Sequence, residues 1–239
     1  MNLMNKLAKL LVLLVLGAGS LPSYGNNGMI TEMELMAIPS WCKSAFQNSG
    51  YSGKIAPSRS RSASNAGQSA ASKSGLQIPG GHHFCAGLVE LNRAKRGRGN
   101  YANAINEINY SYSSMGGGHP HLSFVASYLG KALYLSGKKK EASEVWLDAI
   151  AAQPSRRESY LALADVLMKE GQHEKALEVL LKYEEQKDSE APDAEQFLAQ
   201  AYFNLKQNDK ALVHAENAHR MGYPFSGLLK KLRRTKENK

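Results

Sequence analysis

Apolar residues in the C-terminal half of the chain recur at helical spacing. Leu129 and Leu133 are four residues apart, as are Ala142 and Trp146, so each pair lies on one face of a helix. Gly137 and three lysines separate the two pairs. This stretch therefore predicts two helices joined by a short polar turn.

The two-helix pattern occurs three times. Ala142, Ala176 and Ala211 mark the same position in each copy, with spacings of 34 and 35 residues. A second small residue precedes each of these alanines by twelve residues, at Gly130, Ala164 and Ala199. Small residues at matched positions let antiparallel helices approach closely. Repetition at this period predicts a solenoid in which each hairpin buries its apolar face against the next one.

The recurring leucine or tyrosine, small residue, alanine and proline resemble the tetratricopeptide repeat. The resemblance covers about 103 residues and divides them into copies at 123–156, 157–191 and 192–225. The copies depart from the family at its usual Trp position, which here holds Ala126, Tyr160 and Glu195. The resemblance implies an all-α fold, a right-handed solenoid of helical hairpins, and a role in binding other proteins.

In tetratricopeptide proteins the first helix of each hairpin lines a concave groove with its solvent-facing side. Carried over to this chain, the resemblance implies the groove residues Ser127, Lys131, Tyr134, Leu161, Asp165, Met168, Lys169, Gln196, Gln200, Phe203 and Asn204. This set combines large apolar side chains, amides and both signs of charge. Such a surface favours a peptide or a single partner helix over a uniformly charged polymer.

Helical patterns also flank the three copies. In 81–122, Phe84, Leu88 and Leu91 share one face, which predicts a degenerate hairpin and a glycine-rich joint at the N-terminal end of the stack. In 226–239, leucines share a face of a last helix whose outer surface is basic. We expect this helix to cap the third copy, with the alternative that its basic face contacts anionic lipid or polysaccharide.

The first 25 residues have the pattern of a secretory signal peptide. Lys6 and Lys9 precede an apolar run from Leu10 to Leu16, and small residues follow it. The run is much shorter than the roughly 20 residues that cross a bilayer. The sequence therefore predicts a signal peptide at 1–25 and a periplasmic or secreted protein, soluble after cleavage. The alternative is an ordinary buried N-terminal helix.

The N-terminal segment, 26–51, contains one of the two cysteines of the chain. Cys42 and Cys85 would be buried thiols in a cytosolic protein, but in an exported chain an even number favours a disulfide. Thr31 and Glu34 form a capping box that predicts a short helix. The serine-rich segment 52–80 follows. Because residues 52–74 have no acidic or aromatic side chain, we predict a disordered loop here.

Motifs of catalysis are absent from the sequence, including His-Glu-x-x-His, Gly-x-Ser-x-Gly and the phosphate loop. We therefore expect no enzyme and no cofactor. The pairs His82–His83 and His119–His121 are candidate zinc or copper ligands, but no carboxylate stands at ligand spacing. Solvent-exposed histidines are the simpler interpretation, so no metal site is predicted.

The net charge of +9 arises from 30 basic and 21 acidic residues, a balance that favours anionic partners or surfaces. Nucleic acid is not expected for an exported chain. The sequence predicts a non-enzymatic adaptor or scaffold in the bacterial cell envelope, which binds a peptide or partner helix in its groove and serves the assembly of an envelope machine. The alternative function is an envelope protein that binds metal, anionic polysaccharide or lipid through its histidine and basic clusters.

Overall fold

The computed structural model describes residues 29–47, 49, 51, 54–56 and 77–237. The predicted signal peptide lies outside this range, as do residues 57–76 of the predicted loop. The described part of the chain contains eleven α-helices. None of them is long and apolar enough to cross a membrane.

Two short helices precede a regular array. They are α1 (Glu32–Met36) and α2 (Trp41–Gln47). The array consists of α3 (Gly81–Lys95), α4 (Tyr101–Ser113), α5 (Leu122–Leu135), α6 (Lys139–Ala152), α7 (Arg157–Lys169), α8 (His173–Gln186), α9 (Pro192–Asn204), α10 (Asn208–Arg220) and α11 (Gly227–Glu237). Helices α3 to α10 pair as four consecutive hairpins, and each hairpin packs on the next. The all-α solenoid predicted from the repeats is confirmed.

The alanines that align the copies occupy equivalent places in the structure. Ala142, Ala176 and Ala211 are each the fourth residue of the second helix of a hairpin, and each is fully buried. The close helix contact is tightest at Gly130, where an added Cβ would lie 2.3 Å from the Trp146 ring. The glycine is therefore required by the large side chain opposite, as ridge-and-groove packing demands.

The first hairpin, α3–α4, follows the same plan in a more divergent form. Ala104 is again the fourth residue of the second helix and fully buried. A Cβ added to Gly87 would lie 2.4 Å from Ile108, which repeats the relation of Gly130 to Trp146. The matching contacts align α3 with α5 residue by residue, with Gly87 equivalent to Gly130.

The N-terminal segment is joined to α3 by covalent and ionic contacts. Cys42 and Cys85 form a disulfide, which confirms that prediction. The capping box is also present, since Thr31 Oγ1 accepts from the backbone N–H of Glu34 at 3.3 Å, and Glu34 Oε2 accepts from the backbone N–H of Thr31 at 2.9 Å. Arg93 donates to both carboxylate oxygens of Glu34, at 2.6 and 2.9 Å.

Both described ends of the serine-rich segment have defined structure. Ile30 and Ile55 form an isolated β-bridge, and the backbone N–H of Ala56 donates to the carbonyl of Ile30 at 2.8 Å. At the other end, Ile78 is buried in the core. The prediction of a disordered loop at 52–80 is therefore corrected at Lys54–Ala56 and 77–80. A backbone pairing and one buried isoleucine hold these residues, and the low-complexity composition did not indicate either contact.

At the C-terminal end, α11 packs on α10 and buries Leu229 and Leu232. The outer face of α11 is basic, and Arg233 pairs with Glu216 at 3.1 Å. The ammonium group of Lys231 lies 4.6 Å from the centroid of the Phe203 ring. The last helix therefore covers the apolar side of the third copy, as a terminal unit of a solenoid must.

Candidate binding groove

A cavity of about 420 Å³ lies on the first helices of the three regular hairpins. Its lining comes mainly from α5 and α7, with Asp193 and Phe197 contributed by α9. Four predicted groove residues line it, namely Ser127, Lys131, Leu161 and Asp165. The structure thus gathers the central part of the predicted set around one concave space.

The lining follows from the repeat register. Residues 3, 4 and 7 positions apart on a helix share one face, and equivalent positions in the next hairpin continue that face. The equivalent rows are Phe124, Glu158 and Asp193; Ser127 and Leu161; Tyr128, Ala162 and Phe197; and Lys131 and Asp165. Each step within a row is 34 or 35 residues long. The groove is therefore a consequence of the repeat itself.

Sequence reasoning missed the aromatic side chains of this cavity. Phe124, Tyr128 and Phe197 line it and are partly exposed. The signal that could have found them was available, since Phe124 stands three positions before Ser127 and Tyr128 stands one position after it. A helix face is wider than the single row of positions first chosen, so flanking positions in the same register contribute.

Seven predicted residues lie outside this cavity although they belong to the same three helices. They are Tyr134, Met168, Lys169, Gln196, Gln200, Phe203 and Asn204. Most stand near the C-terminal ends of their helices, and several interact with each other or with the following helix. Gln200 Nε2 donates to Asn204 Oδ1 at 2.8 Å, and the Lys139 ammonium lies 5.5 Å from the Tyr134 ring centroid. Their role in binding stays a prediction.

Exposure further distinguishes the predicted residues. Leu161 lines the cavity but is only 9% exposed, so it forms the floor and not, as predicted, the solvent-facing rim. The reason is that Leu161 belongs to the cluster of buried apolar residues that runs through the hairpins. Lys131 and Asp165, at equivalent positions, stand at the rim with opposite charges.

The charges of the groove are mixed. Burial lowers the pKa of Lys131, and the neighbouring charges of Lys95 and Lys169 lower it further, against the opposing effect of Asp165. Arg157 Nε donates to Asp193 at 2.9 Å across the α7–α9 boundary. The groove therefore presents apolar rings between separated charges of both signs, which suits a peptide or helix with its own mixed surface.

A second depression of about 790 Å³ lies beside α8. Its lining comes from α8 and the α9–α10 turn, including Leu177, Leu181 and Leu205 among glutamates. No other hairpin contributes to it among the residues the structure describes. It spans two hairpins, whereas the cavity on α5, α7 and α9 spans three.

The histidine pairs do not form a metal site in the described part of the chain, where no three His, Cys, Asp or Glu side chains converge suitably. His83 Nδ1 instead lies 2.7 Å from Glu107, whose carboxylate also accepts from the Tyr51 hydroxyl at 3.0 Å. Burial and the neighbouring His83 lower the pKa of His82. These contacts join the N-terminal segment to the first hairpin.

Comparison with known proteins supports the repeat assignment. The family model described as anaphase-promoting complex, cyclosome, subunit 3, matches residues 143–218. Human protein O-mannosyl-transferase TMTC1 is 33% identical over 98 residues, which make up 41% of this chain and 11% of that protein. The chain therefore spans about a ninth of the length of this curated relative.

The solved structures to which this chain is similar include one that is described as a repeat protein. TTC0263, described as a thermophilic TPR protein of Thermus thermophilus, has a TM-score of 0.49 at 17% identity, over 65% of this chain and 80% of that one. MamA AMB-1 has a TM-score of 0.44 at 18% identity, over 66% and 82%.

Stacked hairpins with a continuous concave groove define a helical-repeat solenoid, a class of protein that binds other proteins. Within this class, the 34- and 35-residue spacing, the buried small residues at matched positions and the family match over 143–218 identify the repeat. The hairpins of this chain therefore resemble tetratricopeptide repeats in spacing and in fold.

Proposed function

We propose that this protein is a non-enzymatic adaptor of the bacterial cell envelope, which holds a peptide segment or a helix of another protein in the groove formed by α5, α7 and α9. One observation carries the proposal. Equivalent positions of three successive hairpins line a single cavity, in which large aromatic side chains remain partly exposed. Partly exposed aromatic rings between charged groups are typical anchors for a protein partner.

The proposal assigns no reaction to the groove. The serine hydroxyl of the cavity, that of Ser127, donates to the carbonyl of Phe124 at 2.7 Å. The described residues that line the cavity include no histidine or cysteine. No nucleophile is therefore paired there with a histidine base. The O-mannosyl-transferase relative is matched over a ninth of its length, so its activity is not carried over.

The envelope location rests on two features. The chain begins with a basic, then apolar, then small-residue pattern typical of export. A buried disulfide joins Cys42 to Cys85, and such bonds persist in oxidising compartments such as the periplasm. The proposal includes a role in the assembly of an envelope machine, because an adaptor can hold components of such a machine together.

A groove variant tests this function in the native envelope. We expect Tyr128→Ala, Asp165→Ala and Phe197→Ala together to reduce crosslinking to the partner at least about tenfold, because each removes a side chain that lines the cavity. Crosslinking, affinity purification and quantitative mass spectrometry of the co-purified proteins measure the loss.

The matched control carries Leu147→Ala, Glu178→Ala and Leu181→Ala, at exposed positions on the second helices. Circular dichroism checks that both variants keep their helical content. Partner capture that survives the groove substitutions, or that is lost equally in the control, contradicts the proposal.

A further inference from the structure

The alignment of α3 with α5 shows what lies on the concave face of the first hairpin. Because Gly87 is equivalent to Gly130, residues Phe84, Cys85 and Leu88 stand where Ser127, Tyr128 and Lys131 stand on α5. The groove positions of the first hairpin are therefore occupied by apolar residues. On α5 the same positions hold residues whose side chains are accessible to solvent.

The groove of the first hairpin is covered. Phe84 and Cys85 are fully buried, and Leu88 and Leu91 are 4% and 3% exposed. This stripe was predicted from the sequence as one face of a helix. The alignment with α5 places that face on the groove side, and the Phe84 ring lies 5.6 Å from the rings of Phe124 and Tyr128. Apolar side chains on a binding face require a cover, since exposing them to water would cost free energy in proportion to their area.

The cover is the segment 37–46 of the same chain. Trp41 stacks on Phe84, with ring centroids 6.0 Å apart and planes 4° from parallel. Cys42 is bonded to Cys85, one residue further along α3. Asn92 Nδ2, one helical turn beyond Leu88, donates to the carbonyl of Ala37 at 3.3 Å. The segment thus follows α3 along its groove face.

The segment ends where the open groove begins. A cavity of about 180 Å³ separates Ala37–Pro39 from Tyr128 and Lys131, and these two residues also line the open groove. Within the segment, α2 is amphipathic, because Cys42 and Phe46 are fully buried whereas Lys43 is exposed. The covered and open parts of the groove therefore form one continuous surface.

We propose that residues 37–46 are an intramolecular ligand of the groove. They fill the groove of the first hairpin, whereas under the proposed function a partner fills the groove of the next three hairpins. When the segment leaves, the first hairpin binds a short amphipathic helix of the same kind in trans. The disulfide keeps the segment in place, because a tethered group acts at an effective concentration of about a millimolar or more. Both sulfurs are buried, so a thiol reductant reaches the bond only after the segment opens.

The test uses the full-length chain and a labelled synthetic peptide of residues 36–47 that carries Cys42→Ala. The released variant combines Cys42→Ser and Cys85→Ser with Ile38→Asp and Phe46→Asp, which place charges on the buried side of the segment. The matched control combines the same serine changes with Met33→Asp and Met36→Asp, at positions 73% and 83% exposed. Fluorescence anisotropy measures peptide binding.

We expect the released variant to bind the peptide at least about tenfold more tightly than the control or the natural oxidised protein. Adding Leu88→Asp to the released variant should abolish this binding. Hydrogen exchange should show faster exchange in α3 of the released variant and unchanged protection in α5–α10, so that a failure to fold is recognised directly.

Three results would overturn the proposal. One is that α3 of the released variant remains protected from hydrogen exchange, since the segment would then not be its cover. Another is that α3 opens but the peptide does not bind. The third is that binding survives Leu88→Asp and is lost with Phe197→Ala, which would place the peptide in the open groove. The proposed function is tested separately, by measuring whether groove variants of the oxidised protein lose their natural partner. Its failure can therefore be distinguished from failure of this inference.

Discussion

At the scale of single residues, Arg93 connects three parts of the chain through one guanidinium group. It donates to the Glu34 carboxylate, to Glu90 at 2.7 Å and to the carbonyl of Met29 at 2.9 Å. The side chains of Arg93 and Glu34 are only 17% and 19% exposed, so solvent screens their charges weakly. The capping box indicated a local role for Glu34, but its partner stands 59 residues away.

This contact makes stability depend on pH. Burial alone would raise the pKa of Glu34, but hydrogen bonds from Arg93 and Thr31 outweigh burial and lower the pKa to about 2 from 4.5. The contribution to the free energy of unfolding, on the order of 3 kcal/mol, is therefore present above pH 4.5 and is lost as the pH falls towards 2.

Thermal unfolding at a series of pH values measures this effect. We expect Glu34→Gln to destabilise the protein at neutral pH, and the difference from the natural protein should shrink between pH 4.5 and 2. Glu32→Gln, at an exposed position in the same helix, is the control and should change little. A constant difference across this pH range would contradict the assignment.

Glu195 is a second residue whose environment only the fold explains. It occupies the position at which the family usually has Trp, and it is 5% exposed. Its carboxylate lies 2.9 Å from His214 Nδ1 and accepts from Asn217 at 3.3 Å. Burial would raise its pKa, but these contacts with α10 lower it. A polar pair within one hairpin thus replaces the apolar contact of the other copies.

At the scale of elements, the turn inside each regular hairpin needs a left-handed residue. Gly137 and Gly171 have φ values of +91° and +75°. The equivalent residue of the third copy is Lys206, with φ +61°. A side chain in this conformation costs about 1–2 kcal/mol, which glycine avoids. In the first two copies the sequence indicated the turn by a glycine. In the third copy it showed only a polar stretch and did not indicate the left-handed residue.

Exchanging the turn residues should change stability in opposite directions. We expect Gly171→Ala to lower the free energy of unfolding by about 1 kcal/mol and Lys206→Gly to raise it by up to about 1 kcal/mol. Urea unfolding followed by circular dichroism measures both. Lys182→Gly, at an exposed position in the interior of α8, is the matched control and should destabilise, because glycine weakens a helix interior. A stabilising Gly171→Ala would contradict the account.

The disulfide also contributes to stability at the scale of elements, because it joins α2 to α3. It closes a loop with a sequence separation of 43 residues, for which the chain-entropy model gives roughly 4 kcal/mol. We expect Cys42→Ser with Cys85→Ser to lower the thermal midpoint and to increase hydrogen exchange in α1, α2 and α3, where the segment is joined. Thiol titration of the denatured, unreduced natural protein provides the check, and two reactive thiols per chain would contradict the bond.

At the scale of the whole molecule, each hairpin depends on its neighbours for burial. Helices pack mainly within their hairpin and on the adjacent one, as expected for a quasi-one-dimensional array. Stability should therefore be lost from an end inwards when a terminal cover is removed. The C-terminal cover is α11, which buries Leu229 and Leu232 on the third copy.

Removing this cover tests the array. We expect Leu229→Asp with Leu232→Asp to increase hydrogen exchange in α11 and α10 most, in α8 and α9 less, and in α3–α6 hardly at all. Lys230→Asp with Arg234→Asp, on the exposed face of the same helix, is the control. A uniform increase across all hairpins would show that the array unfolds as one cooperative unit.

The sequence by itself determined the repeat, the helix type, the matched alanines and the cysteine pair. These features follow from local periodicity and from residue types at fixed spacing, which a linear chain displays directly. It also indicated four cavity residues, because equivalent positions repeat with the helices. The signal-peptide and envelope predictions depend on residues outside the described structure and stay predictions.

Only the tertiary structure decided which face of α3 is covered and what covers it. Phe84, Leu88 and Leu91 form an apolar stripe whether they meet a neighbouring hairpin or a returning segment, and periodicity does not distinguish the two. The same holds for Arg93 with Glu34 and for Glu195 with His214, whose partners are separated in sequence. Packing brings distant residues together by shape and burial, which no local pattern encodes.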